Sequence, residues 1–208
     1  VLVTRPRELV STMAGKLRSL GAEVLELPAI RTAPLEDQSR LYTAFEKLDT
    51  YQWIAFTSPT GVRIFFEELR KTKTDIRKLH QVQIAAIGKG TVKALEERGF
   101  FPDLIPEVYD GETLGRELCE RCVGDEQILI PRAAMGNQEI IQGLEGKPGL
   151  KIDDIPTYAT FYESQEAVDE KKEFETGQMD CAVFTSASTV RGFVKATPGL
   201  DYTKVRAA

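Results

Sequence analysis

The sequence predicts an α/β protein made of two similar halves, each with a parallel sheet covered by helices. Two observations carry this. Short apolar strands alternate with helical stretches along the chain, the pattern of parallel sheets whose crossovers are helices. The chain also matches itself in one register. Val1-Leu2-Val3-Thr4-Arg5 returns as Ile128-Leu129-Ile130-Pro131-Arg132, an offset of 127 from Arg5 to Arg132. Leu27-Pro28-Ala29-Ile30-Arg31-Thr32 returns as Ile155-Pro156-Thr157-Tyr158-Ala159-Thr160, an offset of 128 from Pro28 to Pro156. Phe56-Thr57-Ser58-Pro59-Thr60-Gly61-Val62-Arg63 returns as Phe184-Thr185-Ser186-Ala187-Ser188-Thr189-Val190-Arg191 at the same offset. Two halves of 128 residues make about 256, so a natural chain extending roughly 48 residues past Ala208 is expected.

The elements follow in order. Residues 1–4 are a short β-branched run. Leu9, Met13, Leu17 and Leu20 stand at helical spacing, and Gly21 occupies the position after that helix where a left-handed residue is wanted. Residues 23–27 read as a strand, 41–48 as a helix, and 53–56 as a buried strand. A Thr-Ser-Pro turn then opens a helix over 61–70. Residues 82–87 form the next strand, followed by Gly88-Lys89-Gly90 and a helix over 91–98 that stops at Gly99. A helix is predicted over 112–122. The second half repeats the scheme, with strands at 127–130, 151–155 and 181–184. Its helices lie near 138–144, 168–175 and from about 189.

Composition bounds the function. Apolar residues are 42% and charged residues 28% of the 208, values ordinary for a globular protein. No apolar run approaches the ~20 residues that span a bilayer. The net charge is −5 with both signs interleaved, so no basic stripe marks a nucleic-acid surface. The three cysteines, Cys119, Cys122 and Cys181, make no disulfide framework, which fits a reduced, cytoplasmic setting. His80 is the sole histidine, which nearly excludes Ser-His catalysis and multi-histidine metal sites.

In open parallel sheets, ligands bind beyond the carboxyl ends of the strands. The segments there are Thr4-Arg5, Thr57-Ser58, Lys89 to Thr91, Pro131-Arg132 and Thr185-Ser186. Most precede a helix, whose first N–H groups lack partners and suit an anion. Ser and Thr at such places also serve simply as caps, and for any single loop that plainer reading is the stronger. Four such loops repeated in two-fold register shift the balance toward a polyanionic ligand. Tyr158 breaks the symmetry, because its first-half counterpart is Ile30; a packed tyrosine beside Phe161 and Tyr162 is the competing reading.

The ordered set of motifs resembles the uroporphyrinogen-III synthase family. It comprises Val1-Leu2-Val3-Thr4-Arg5-Pro6, Phe56-Thr57-Ser58-x-x-Gly61-Val62, Ala86-Ile87-Gly88-x-x-Thr91-x-x-Ala94-Leu95 with Gly99, Pro156-x-Tyr158-x-Thr160 and Phe184-Thr185-Ser186-x-Ser188. The resemblance implies an enzyme that closes the linear tetrapyrrole hydroxymethylbilane to uroporphyrinogen III, losing water and inverting the last ring. It implies substrate contacts at Thr57, Ser58, Thr91 and Ser186, and Tyr158 as the most influential catalytic side chain. Arg5, Lys89 and Arg132 stand in the same loops and are added as substrate-binding candidates. No cofactor and no metal are expected. The expected partner is the tetrapyrrole substrate, with no nucleic acid or membrane and a monomeric chain, fused to or cooperating with a tetrapyrrole methyltransferase in some settings.

The repeat and the resemblance together imply two flavodoxin-like domains that exchange their leading strand-helix-strand. One would combine residues 1–33 with 164–208 and the other would span 34–155, with linkers at 28–35 and 156–163. Residues 1–3 would then share a sheet with 182–184, and 128–130 with 54–56. A non-catalytic two-domain protein that clamps a small polyanion remains the alternative at this level. It needs the hydroxyl-bearing loops and has no use for Tyr158.

Overall fold

The computed structural model describes residues 1–4, 7–136, 138–162 and 168–208. It is α/β with parallel sheets, as the alternation of elements predicts. The chain divides into two units, Val1–Ala33 with Thr160–Ala208, and Pro34–Ala159.

The first unit contains β1 (Leu2–Val3), α1 (Arg7–Ser19), β2 (Leu25–Glu26) and most of β3 (Ile30–Pro34). Its three-stranded parallel sheet has the order β2-β1-β8, β8 being Ala182–Val183 late in the chain. Leu2 pairs with Leu25 on one side and Ala182 on the other. Gly21 takes a φ of 88°, the left-handed turn expected after α1. The core gathers Leu2, Leu27, Phe174, Phe193 and Leu200. Gly192 is packed so closely that a Cβ there would lie 2.5 Å from the Ala29 carbonyl oxygen.

The second unit holds α2 (Ser39–Glu46), β4 (Trp53–Phe56), α3 (Pro59–Lys71), β5 (Gln83–Ala86) and α4 (Lys89–Glu96). It continues with α5 (Gly111–Arg121), β6 (Gln127–Ala133), α6 (Glu139–Leu144) and most of β7 (Lys151–Tyr162). α7 (Val168–Glu175) and α8 (Ala187–Ala196) return to the first unit. The five-stranded sheet has the order β3-β7-β6-β4-β5. Trp53 pairs with Gln83 on one side and Ile128 on the other, all parallel.

Alternation along β4 gives the second unit two cores. Ile54 and Phe56 join Phe45, Phe65 and Leu129 on one face, while Trp53 and Ala55 join Leu114, Leu118, Ile128 and Ile140 on the other. Phe65 meets Phe45 and Phe56 edge to face at 5.2 and 5.3 Å, the arrangement ring quadrupoles prefer.

Two segments differ from the sequence reading. Residues 30–34 form a strand that the sequence analysis treats as linker, and β7 runs on to Tyr162 instead of stopping at residue 155. The strand at 151 passes through Pro156 because β6 and β7 shift register there: Arg132 pairs with Pro156, and Ala133 pairs with Tyr158. Thr157 is the extra residue of a bulge, a device that re-aims the side chains after it.

Candidate functional site

The bulge in β7 positions Tyr158. Its carbonyl accepts the Ala134 N–H at 2.7 Å, and the Thr157 carbonyl beside it accepts from Leu35 N–H at 3.0 Å and Gln38 Nε2 at 2.7 Å. The backbone is thus pinned on both sides of the residue. The Tyr158 ring is buried, with 6% of its surface exposed. Its Oη lies 2.6 Å from Ser58 Oγ.

Ser58 is the N-cap of α3, with extended backbone at φ −158° and Pro59 immediately after it. Its Oγ accepts the Gly61 N–H at 3.0 Å. Pro at the first helical position costs nothing, since that N–H has no partner anyway. Gly61 is needed for space. A Cβ there would come within 3.3 Å of both Ser58 Oγ and the Pro131 carbonyl and within 3.8 Å of Tyr158 Cε1. The Thr-Ser-x-x-Gly motif is therefore a seat in which a helix start, a strand end and a phenol meet.

A pocket of about 300 Å³ opens at this seat, entirely within the second unit. Thr57, Ser58, Arg132 and Tyr158 line it, and Ile87, Tyr109 and Ile140 supply apolar wall. Burial raises the Tyr158 phenol above its ordinary value, and the Ser58 hydroxyl pulls weakly the other way. The group is neutral at neutral pH and carries a proton to give. Either hydroxyl of this pair can donate to the other; with Ser58 Oγ as the donor, the phenol keeps its own proton for the pocket.

The other predicted residues fall in different places. Arg132 lines the pocket, but its guanidinium is held by Asp154, Nε to Oδ1 at 2.5 Å and Nη2 to Oδ2 at 2.7 Å, while Nη1 donates to the Ala133 carbonyl at 3.0 Å. The hydrogen bonds it donates to Asp154 raise the Arg132 pKa further. Its charge is spent on this fork, so Arg132 shapes the wall and is no open cation for a carboxylate. With Arg132 only 6% exposed, removing its partner strands a buried charge. Asp154→Ala is expected to destabilise the protein by about 3 kcal/mol, read as a lowered midpoint in chemical unfolding.

Thr91 is buried at 2% exposure, on the stripe of α4 that also buries Leu95 one turn on. Its hydroxyl is not presented outward, contrary to the sequence expectation. What the turn exposes is Lys89 and Gly90, whose N–H groups stand at the helix start where intrahelical acceptors are lacking. Gly88 caps that helix at φ 80°. Ser186 belongs to the first unit. It is exposed and caps α8 reciprocally with Thr189, and its Oγ lies 2.9 Å from Ser188 Oγ. Arg5 lies outside the described residues. Among the described residues no group of side chains has the makings of a metal site, and no helix is long and apolar enough to cross a membrane.

The sequence reading did not find Asp110 or Glu139, which line the same pocket. Asp110 is the N-cap of α5, its Oδ1 accepting the Thr113 N–H at 2.7 Å. Asp-Gly-Glu-Thr before an apolar helical repeat is a legible cap signal, but nothing local tells that the cap edges a pocket.

The comparisons with known proteins follow this geometry. The family model described as Uroporphyrinogen-III synthase HemD matches residues 11–208. A porphyrin biosynthesis protein HemD of Ruminiclostridium josui is 39% identical over 194 residues, covering 93% of this chain and 38% of that protein. A putative uroporphyrinogen-III synthase of Methanocaldococcus jannaschii is 29% identical over 198 residues, covering 94% and 77%. This chain thus spans well under half of the first relative and about three quarters of the second. A mutant uroporphyrinogen III synthase from the extremely thermophilic bacterium Thermus thermophilus superposes with a TM-score of 0.68 over 99% of this chain and 82% of that one. At 16% identity that likeness speaks for the fold alone. The family model and the relatives together place this chain in the uroporphyrinogen-III synthase family, enzymes of porphyrin biosynthesis.

Proposed function

We propose that this chain closes hydroxymethylbilane to uroporphyrinogen III, with loss of water and inversion of the last pyrrole ring. The observation that carries the reading is the buried Tyr158 phenol, neutral and hydrogen-bonded to Ser58 Oγ at the wall of a pocket. The terminal hydroxymethyl group leaves readily once a donor meets its oxygen, and Tyr158 is that donor. Release generates an electrophilic methylene that closes spontaneously to the type I isomer. The protein must therefore hold the folded bilane so that the substituted carbon of the terminal ring is attacked, which is control by orientation.

The substrate's carboxylates find backbone and hydroxyl donors. In the second unit these are the helix starts at Ser58 and at Lys89–Gly90. In the first unit the Ser186 turn is a third such turn. A net charge of −5 gives no long-range attraction to a polyanion, so these local donors carry affinity. No cofactor takes part, and the chain acts as a monomer in the cytoplasm, alone or beside a tetrapyrrole methyltransferase. The repeat register and the pairing of β1 with β8 and of β6 with β4 support an origin by duplication with exchange of the leading elements.

The test is to supply hydroxymethylbilane to the purified chain, oxidise the products and resolve the isomers chromatographically. A product dominated by type III is expected, at a rate well above spontaneous closure. Type I alone, at the spontaneous rate, would overturn the reading and leave a binding protein.

A further inference from the structure

By local criteria Gln38 is poorly suited to the place it occupies. It stands at the N-cap of α2, where serine, threonine, asparagine and aspartate are preferred, and its side chain makes no capping bond. It is buried, with 6% of its surface exposed, and its Oε1 has no hydrogen-bond partner among the described residues. A buried acceptor left unpaired costs stability. Neither the helix start nor the core therefore accounts for a glutamine here. What its side chain does is non-local. Nε2 donates to the Leu35 carbonyl at 3.0 Å and to the Thr157 carbonyl, 119 residues away in sequence, at 2.7 Å. Two carbonyl acceptors at one end fix which end of the amide is nitrogen, and both its hydrogens are spent on them.

We propose that Gln38 is a positioning residue for Tyr158, holding the β7 bulge in the geometry that aims the phenol. The proposal rests on the functional reading above. Thr157 lies between the paired positions Pro156 and Tyr158 and is left out of the register with β6. Its carbonyl oxygen instead takes two donors, the Leu35 N–H at 3.0 Å and Gln38 Nε2. That oxygen, the Tyr158 nitrogen and the Tyr158 Cα share one peptide plane. Holding the oxygen with two donors therefore fixes the direction in which the tyrosine side chain leaves the backbone. Remove Gln38, and the Leu35 N–H alone holds this oxygen, about which the peptide plane can turn.

The consequence is felt at the far end of the ring. Tyr158 Oη meets Ser58 Oγ at 2.6 Å, and the ring passes Gly61, whose Cβ would sit 3.8 Å from Tyr158 Cε1. A small tilt at the bulge is magnified at the phenol oxygen, and a displacement of about 1 Å can cost roughly 10²-fold in rate. Gln38, Leu35, Thr157, Tyr158 and Ser58 all belong to the second unit, so the support is internal to it. Buried, and with no amide hydrogen left for a ligand, Gln38 reaches the reaction only through Thr157 and Tyr158.

The experiment measures kcat, KM, isomer ratio and thermal midpoint on hydroxymethylbilane. It compares the wild-type chain with Gln38→Met, Gln38→Asn, Tyr158→Phe and the double variant of Gln38→Met with Tyr158→Phe. Methionine keeps the volume and removes both the donors and the orphaned acceptor. Asparagine keeps the amide but is one methylene short of Thr157. The expected result for each single Gln38 variant is a fall in kcat of roughly 5- to 20-fold, no larger than that of Tyr158→Phe, with KM within about two-fold of wild type. In the Tyr158→Phe background, Gln38→Met should alter kcat by less than about two-fold, because the oxygen it aims is gone. Should Gln38→Met fail to fold, the cycle is run with Gln38→Asn. A purely structural role predicts the same fall in both backgrounds, and that result overturns the inference. So does a wild-type kcat in either folded variant, a rise in KM at constant kcat, or failure of both Gln38 variants to fold. In each of these cases type III product from the wild-type chain leaves the functional reading intact. Wild type that yields only type I product overturns both together.

Discussion

Tyr158→Phe is expected to slow type III formation by roughly 10- to 100-fold, more than any single hydroxyl change in the surrounding turns. The change deletes one oxygen and keeps the ring. The seat formed by Gly61, Ser58 and Pro131 therefore stays filled, and the folded state should survive. What goes is the donor to the departing hydroxyl. General-acid help is commonly worth ~10²-fold or more, but this hydroxyl leaves readily even without it, so the loss sits at the low end. The isomer ratio should shift toward type I only as far as slow turnover lets spontaneous closure compete. Neutral hydrogen bonds from single turn hydroxyls net about 0.5–1.5 kcal/mol, and Thr57→Ala should accordingly cost about ten-fold or less. Steady-state rates with chromatographic isomer analysis check both. Full rate in a folded Tyr158→Phe chain would reduce Tyr158 to packing.

Gly143→Leu is expected to lower stability by about 3 kcal/mol or more, with a thermal midpoint down by roughly 10 °C. Helices α5 and α6 touch through glycine. A Cβ at Gly143 would lie 2.8 Å from the Arg116 nitrogen, the Glu112 carbonyl oxygen and the Gly115 Cα, and one at Gly115 would lie 2.4 Å from the Ile140 carbonyl oxygen. Every one of these neighbours is backbone, so no rotamer change relieves the clash and the helices must part. Glycine within a helix costs about 1 kcal/mol against alanine, a cost the sequence accepts twice for this approach. Gly146→Ala is the control: its Cβ would meet only Cys119 Sγ, at 4.0 Å, and should shift the midpoint little. Circular dichroism melts of the two variants decide it. Because Asp110 caps α5, Glu139 opens α6 and both line the pocket, Gly143→Leu should also widen the pocket and depress activity in whatever fraction stays folded.

Much of the parallel α/β plan was legible because local pattern and tertiary role agree. Residues 53–56 are a continuous apolar run with an aromatic at each end, and they form a strand buried on both faces. Residues 30–34 carry Arg31, Thr32 and Pro34 and no apolar run, so their strand depends on its place in the sheet and not on local preference. Within the pocket, Tyr158 stood out by breaking the repeat at Ile30, and Thr57 and Ser58 by their place before a helix. Thr91 misled because a hydroxyl after a glycine turn suggests an outward donor, whereas its four-residue spacing from Leu95 sets it on the core face. Arg132 misled because its partner, Asp154, lies on a neighbouring strand and no sequence spacing announces it. Asp110 was missed for a similar reason: a cap is a local signal, and the pocket it edges is assembled from the Thr57-Ser58 turn, Ile87, α5, α6, β6 and β7.

Ser58 answers to two demands through one atom. Its Oγ receives the Gly61 N–H that starts α3 and also meets the Tyr158 phenol. A residue under two such demands has little room to drift over generations. Alanine forfeits both contacts. Asparagine and aspartate still cap, but their longer side chains intrude on the ring beside Gly61. Threonine keeps the oxygen and adds a methyl at a spot where 3.3 Å separates Oγ from the place a Gly61 Cβ would take. Among related chains that retain the phenol, variation at this position should therefore be confined to serine and threonine. Where the phenol has been lost, the wider set of capping residues should reappear.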